Sequence, residues 1–117
     1  MKKLIFIISI VAVISITFSC SKSEDNNPDP NLAGTPGPKF LAVKSVITSS
    51  CALSGCHIAP SNMGGVNFET NANIVAHGAQ IKDKAVDDGT MPPGIPLSAS
   101  DKAKITDWMN AGGRLTD

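Results

Sequence analysis

Two cysteines and a histidine lie close together near the middle of the sequence. Four residues separate Cys51 from Cys56, and His57 directly follows the second cysteine. Thiols can form disulfides, thioethers or metal bonds, and an imidazole nitrogen is a common metal ligand. A short segment that carries both kinds of group could therefore bind a metal ion or attach a metal-containing cofactor.

The order Cys…Cys-His is typical of c-type haem attachment. There, two thiols add to the vinyl groups of haem as thioethers, and the following histidine ligates the iron. The common spacing is C-x-x-C-H, and Gly55 can form the turn that two additional residues require. The segment predicts one covalently bound haem c, with Cys51 and Cys56 as attachment residues and His57 as proximal ligand. The second ring nitrogen of this histidine needs an acceptor, for which a backbone carbonyl within residues 58–61 is a candidate.

Two other interpretations use the same residues. Cys51 and Cys56 could form a disulfide, because cysteine pairs in an oxidising compartment usually oxidise. A zinc site could instead combine both thiols with His57 and His77. Zinc sites with short cysteine spacing usually continue with a second, distant pair of ligands, whereas His77 is the only further histidine in this chain. The three interpretations differ in the bonding partner of the two sulfurs: haem, each other or zinc.

A second axial ligand to a haem iron would come from further along the chain. Met91 precedes two prolines in residues 88–96, and these prolines stiffen the backbone. Such a loop can hold a thioether against a metal at little entropic cost. Met91 is therefore the predicted distal ligand, and a methionine at this position raises the reduction potential and suits electron transfer. The alternatives are His77, Met63 and an open sixth position.

Three or four helices, and no convincing strand, are predicted to position these residues. The first helix is expected over residues 38–49. Pro38 suits a first helical turn, and Phe40, Val43 and Ile47 recur on one helical face. The pattern predicts an all-α domain in which this first helix leads directly into the Cys-His segment.

Helix-end signals locate the remaining helices. A middle segment starts near Thr70, and Gly78 is expected to interrupt it. Ser98 and Asp101 form a pair that resembles a capping box at the start of the last helix. Gly112 and the glycine that follows it end this helix. Its buried stripe is predicted to consist of Ile105, Trp108 and Met109.

The N-terminus has the pattern of a bacterial lipoprotein signal. Lys2 and Lys3 precede a 15-residue apolar run, which is shorter than the roughly 20 residues of a membrane-spanning helix. The run ends at Cys20 in a sequence that resembles a lipobox. Residues 1–19 are therefore predicted to be a signal peptide and Cys20 the lipidated residue, with an uncleaved signal anchor as the alternative. Both place the rest of the chain outside the cytoplasm, attached to a membrane of the cell envelope.

The composition divides the rest of the chain into a linker and one domain. Residues 21–38 are rich in Pro, Asn, Asp and Ser, so residues 20–38 are predicted to be a flexible tether. The folded domain is predicted over residues 39–117. It has few aromatic residues for its core, which a bound cofactor would complete. The formal net charge of zero gives no basic surface for nucleic acid.

The order of these elements resembles the small class I-like c-type cytochrome domains of bacterial envelope lipoproteins. These domains have a helix, a Cys…Cys-His segment, a Met loop such as the Gly-Thr-Met-Pro-Pro sequence here, and a last helix that packs on the first. The resemblance covers residues 39–117 and implies a cytochrome c-like fold around haem. It also implies that Phe40 and Trp108 lie at the contact between the first and last helices. The chain departs from the family pattern in its four-residue spacing.

The function that this resemblance implies is a membrane-tethered electron carrier, not an enzyme. Its partners would be redox proteins of the cell envelope. One alternative is a haem protein with an open sixth position that acts as a peroxidase or sensor, although Arg114 is the only arginine that could assist such chemistry. The other is a haem-free lipoprotein that uses a disulfide loop as a binding module.

Overall fold

The computed structural model describes residues 29–117. The predicted signal peptide, the predicted lipidation site Cys20 and the first part of the predicted linker lie outside the described residues. Within residues 29–117 the chain is all-α and contains no strand, as predicted. None of the helices in this range has the length and apolar content that a membrane span requires. The α-helices are α1 (Pro38–Ser50), α2 (Asn71–Ala76), α3 (Gly78–Lys82) and α4 (Ala99–Ala111).

The first and last helices form the centre of the core. Phe40 and Ile47 of α1 and Ile105 and Trp108 of α4 are completely buried. The rings of Phe40 and Trp108 pack edge to face, with 5.9 Å between their centroids, an arrangement that aromatic pairs favour. The indole N–H of Trp108 donates to the Arg114 carbonyl at 2.8 Å, so its one polar atom is satisfied. The implied contact of these two rings is therefore confirmed.

The predicted start of α1 and both predicted ends of α4 are also confirmed, and α1 ends one residue later than predicted, at Ser50. Pro38 occupies the first turn of α1, where its missing N–H costs no hydrogen bond. At the start of α4, the Ser98 hydroxyl oxygen accepts the Asp101 N–H at 3.1 Å. At its end, Gly112 adopts φ 132° and its N–H donates to the Met109 carbonyl, a conformation that favours glycine.

The middle of the chain contains the interruption expected at Gly78. Thr70 caps α2 by accepting the Asn73 N–H, and α3 starts at Gly78 after His77. A Cβ atom at Gly78 would lie 3.0 Å from a ring carbon of Trp108, so the glycine permits close packing of α3 on α4. Two short elements were not predicted: a π-helical turn that continues α3 and a 3-10 turn. They span Asp83–Asp87 and Met63–Gly65 respectively.

The end of the predicted linker packs on the domain. The Leu115 N–H donates to the Asn31 carbonyl, and the Gly37 N–H donates to the Leu115 carbonyl, both at 2.8 Å. The predicted tether of residues 20–38 therefore includes residues that are hydrogen-bonded to the C-terminal tail. Backbone groups form this contact, so the composition of the segment does not predict it.

Candidate functional site

The four residues between the two thiols form a compact turn at the end of α1. The Cys56 N–H donates to the Leu53 carbonyl at 2.9 Å, and the His57 N–H donates to the Cys51 carbonyl at 3.2 Å. Gly55 adopts φ 83° within this turn, a left-handed conformation that glycine adopts without strain. The longer spacing is thus accommodated as a closed loop that returns the histidine to the first cysteine.

Both thiols of this turn are free, but their surroundings differ. Cys51 is buried, whereas Cys56 is partly exposed. Burial, assisted by the nearby charge of Cys56, raises the pKa of the Cys51 thiol to about 11. Cys51 is consequently a neutral thiol at pH 7.

The imidazole of His57 is held by a backbone carbonyl. Its Nδ1 atom lies 3.3 Å from the Val66 oxygen. Because a carbonyl oxygen only accepts, this contact favours the neutral tautomer in which Nδ1 carries the proton and Nε2 the lone pair. The ring of Phe68 lies 5.1 Å away, centroid to centroid. The expectation that the acceptor lies within residues 58–61 is wrong, because the chain first makes a loop and only then returns to the histidine.

Two neighbouring cavities, of about 300 and 250 Å³, lie beside the Cys-His turn. The larger extends towards Phe68, Ile81 and Ala85 and has mainly apolar walls, and the smaller extends towards Cys56. The volume of the larger cavity lies at the lower limit of the range of small-molecule sites, about 300–1,000 Å³. Four residues line both cavities: Cys51, His57, Met63 and Met91.

Met91 lines the cavities from the loop that follows the π-helical turn. Its N–H donates to the Lys84 carbonyl at 3.0 Å, and the Thr90 hydroxyl donates to the same oxygen at 3.4 Å. Lys84 belongs to the π-helical turn, so this turn fixes the start of the Met loop. The sequence does not predict this turn, because any residue type can supply the backbone carbonyl that accepts the Met91 N–H.

The alternative ligands differ in position. Met63 is 57% exposed and lines both cavities together with Met91. His77 lines neither cavity. Its Nδ1 is hydrogen-bonded to the Asn73 carbonyl at 2.8 Å. Its ring packs against the ring of Phe68, with 6.0 Å between the centroids. The structure thus brings together the thiols, one imidazole and two thioethers, but not the second histidine.

Residues 29–117 contain no group of three or more His, Cys, Asp or Glu side chains that could hold a metal ion. The four residues of the zinc interpretation are therefore not gathered in one place. Comparisons with protein-family models, with curated proteins and with solved structures find no match to the chain. The arrangement itself offers one oriented imidazole, two thiols and two thioethers around a mainly apolar space.

Proposed function

We propose that this chain is a membrane-tethered electron-transfer protein that carries one covalent haem c on a cytochrome c-like fold. One observation carries the proposal. Cys51, His57 and Met91 line both cavities and Cys56 lines the smaller one, although Met91 lies 34 residues after His57. The Nε2 lone pair of His57 is available because the Val66 carbonyl occupies Nδ1.

The chemistry of these residues fits haem. Cys51 and Cys56 would each form a thioether: the sulfur bonds to one carbon of a vinyl group and the thiol hydrogen goes to the other, so no oxidant is required. His57 Nε2 and the Met91 sulfur would be the two protein ligands of the iron. When bound, haem supplies one-electron transfer between the ferrous and ferric states.

The residues around the site would hold these ligands and exclude water. Val66, Phe68 and Ile81 are buried and form apolar walls, and a dry site strengthens the electrostatic control of a redox centre. The Lys84 carbonyl holds the Met91 backbone. With two protein ligands, the iron would have no position for a substrate, and the partly exposed Met91 would lie where a redox partner could approach. These features favour a carrier over an enzyme.

Intact mass and absorption spectra test the proposal directly. The protein would be produced in cells with a c-type haem maturation system. We expect a mass increase of one haem that survives denaturation, together with a low-spin spectrum. A high-spin spectrum would favour the open-site peroxidase or sensor. A haem-free mass, lower by two hydrogens, would favour the disulfide-stabilised binding module.

The two cavity methionines provide a matched test of the distal ligand. Met91→Ala is expected to convert the low-spin spectrum to a high-spin one, because the iron loses its thioether. Met63→Ala removes the same side chain from the same cavities and is expected to leave the spectrum low-spin. The opposite pattern would assign the ligand to Met63.

The proposed tether makes attachment to the membrane independent of the haem site. Cys20→Ala is expected to release the protein from the membrane fraction of the cell envelope, where its redox partners would lie, and to leave its absorption spectrum unchanged. Ser21→Ala is the control and should remain with the membrane. Loss of the haem spectrum in Cys20→Ala would contradict this separation.

A further inference from the structure

The loop between His57 and α2 contacts the histidine twice. The Val66 carbonyl lies against Nδ1, and the Phe68 N–H donates to the His57 carbonyl at 2.8 Å. Val66 and Phe68 are both buried and line the larger cavity. Asn67 lies between them, and its own N–H belongs to the same peptide group as the Val66 carbonyl. Whatever fixes Asn67 therefore also fixes the acceptor of the histidine.

The side-chain amide of Asn67 is fully hydrogen-bonded. Its nitrogen donates to the Asn62 side-chain oxygen at 2.8 Å and to the Glu69 carboxylate. Its oxygen accepts the Glu69 N–H at 2.8 Å and the Asn73 side-chain amide at 3.4 Å. An amide side chain has two N–H groups and two acceptor lone pairs. Asn67 uses all four.

These partners lie in three different parts of the chain. Asn62 adopts a left-handed φ of 41° just before the 3-10 turn, and Asn73 belongs to α2. Glu69 lies near the end of the loop, but its carboxylate also accepts the Ala59 N–H at 3.4 Å near the start. Asn67 thereby connects both ends of the loop to its central turn and to the next helix.

We propose that Asn67 is a positioning residue for His57. By fixing the peptide group that it shares with Val66, it holds the carbonyl against Nδ1. This sets the tautomer and orientation of the ring and leaves Nε2 directed for ligation. When the iron of the proposed function is bound, the same contact increases the basicity of the imidazole ligand. This step rests on the proposed function. Loss of Asn67 weakens the electron donation from the imidazole to the iron. The midpoint potential then rises, because a strong donor stabilises the ferric state more than the ferrous state.

The test follows the His57 ring proton, which reports the contact whether or not haem is bound. Nitrogen-15 NMR of the purified, reduced protein gives the solvent-exchange rate of Nδ1–H in the parent, Asn67→Ala and Asn110→Ala. Asn110 is an exposed asparagine on α4 and serves as the control. We expect exchange about fivefold faster in Asn67→Ala, as for loss of one ordinary hydrogen bond, together with a higher midpoint potential. The control should match the parent in both.

A second variant keeps the test valid if Asn67→Ala does not fold. In Asn67→Ser, the hydroxyl can still accept the Glu69 N–H and preserve the local turn, but the bonds to Asn62 and Asn73 are lost. Faster exchange in either folded variant supports the positioning role. A lower melting temperature with parent-like exchange in both overturns it, because Asn67 would then only stabilise the loop. If the parent carries no covalent haem, the proposed function fails, but the exchange comparison still decides the role of Asn67.

Discussion

The contact between α1 and α4 and the cavity region beside the Cys-His turn are built in opposite ways. At the helix contact, Phe40 and Trp108 are completely buried against each other. In the cavity region, Met63 and Met91 remain 57% and 36% exposed, and backbone carbonyls hold the His57 ring and the backbone N–H of Met91. The first region is complete without a ligand, whereas the second presents apolar surface that a ligand would cover.

This difference separates stability from binding in the molecule. Burial of apolar surface contributes about 25 cal/mol per Å², so the fully enclosed side chains of the helix contact contribute most to folding. Apolar side chains that line an open cavity contribute less, and their uncovered surface favours association with another apolar group. Substitutions in the helix contact should therefore alter stability, and substitutions of the proposed ligands His57 and Met91 in the cavity region should alter binding and spectra.

The largest effect on stability is expected from Phe40→Ala. Removal of a completely buried phenyl ring leaves a cavity against Trp108 and should lower the free energy of unfolding by about 3–5 kcal/mol. Met63→Ala, on the exposed wall of the cavities, should lower it by less than about 1 kcal/mol. Urea unfolding followed by circular dichroism measures both. Equal losses would show that the two regions do not differ in their contribution to folding.

A smaller effect is expected at the start of α4. Ser98→Ala removes the oxygen that accepts the Asp101 N–H and should destabilise the protein by about 1 kcal/mol. Ser100→Ala, an exposed change within the first turn of the same helix, should lie within about 0.5 kcal/mol of the parent. The same unfolding measurement separates them. If Ser98→Ala altered the absorption spectrum as well, α4 would affect the site directly and not only through the core.

The two regions also differ in how much the sequence predicts. Pro38, Ser98 and Gly112 mark helix ends through the chemistry of their own side chains or backbone, and each lies where it is expected. The residues gathered at the cavities were predictable from their type and order in the sequence. The acceptors that orient them were not, because the carbonyls of Val66 and Lys84 depend on loop closure and not on residue identity.

The smallest effect is expected from the ion pair between Arg114 and Asp117, which we call the C-terminal clasp. Its substitution tests whether the helix contact is independent of the site. Asp117 accepts from the Arg114 guanidinium at 2.7 Å and from the Arg114 N–H at 2.9 Å, and these bonds lower the pKa of its carboxyl below the usual value. A lowered pKa in the folded state means that the contribution to stability is present above the unfolded pKa and is lost as pH falls through the folded one.

Asp117→Asn should therefore reduce the loss of stability between neutral pH and about pH 2, and urea midpoints across this range measure the change. Asp107→Asn, an exposed change on α4, is the control. The effect is small because Arg114 is half exposed and water screens the pair. Because the Asp117 carbonyl accepts the Phe40 N–H, the clasp acts on the helix contact. If the protein carries the proposed haem, an altered absorption spectrum in Asp117→Asn would therefore mean that strain in this contact reaches the Cys-His turn through α1, and the two regions would have to be treated as one.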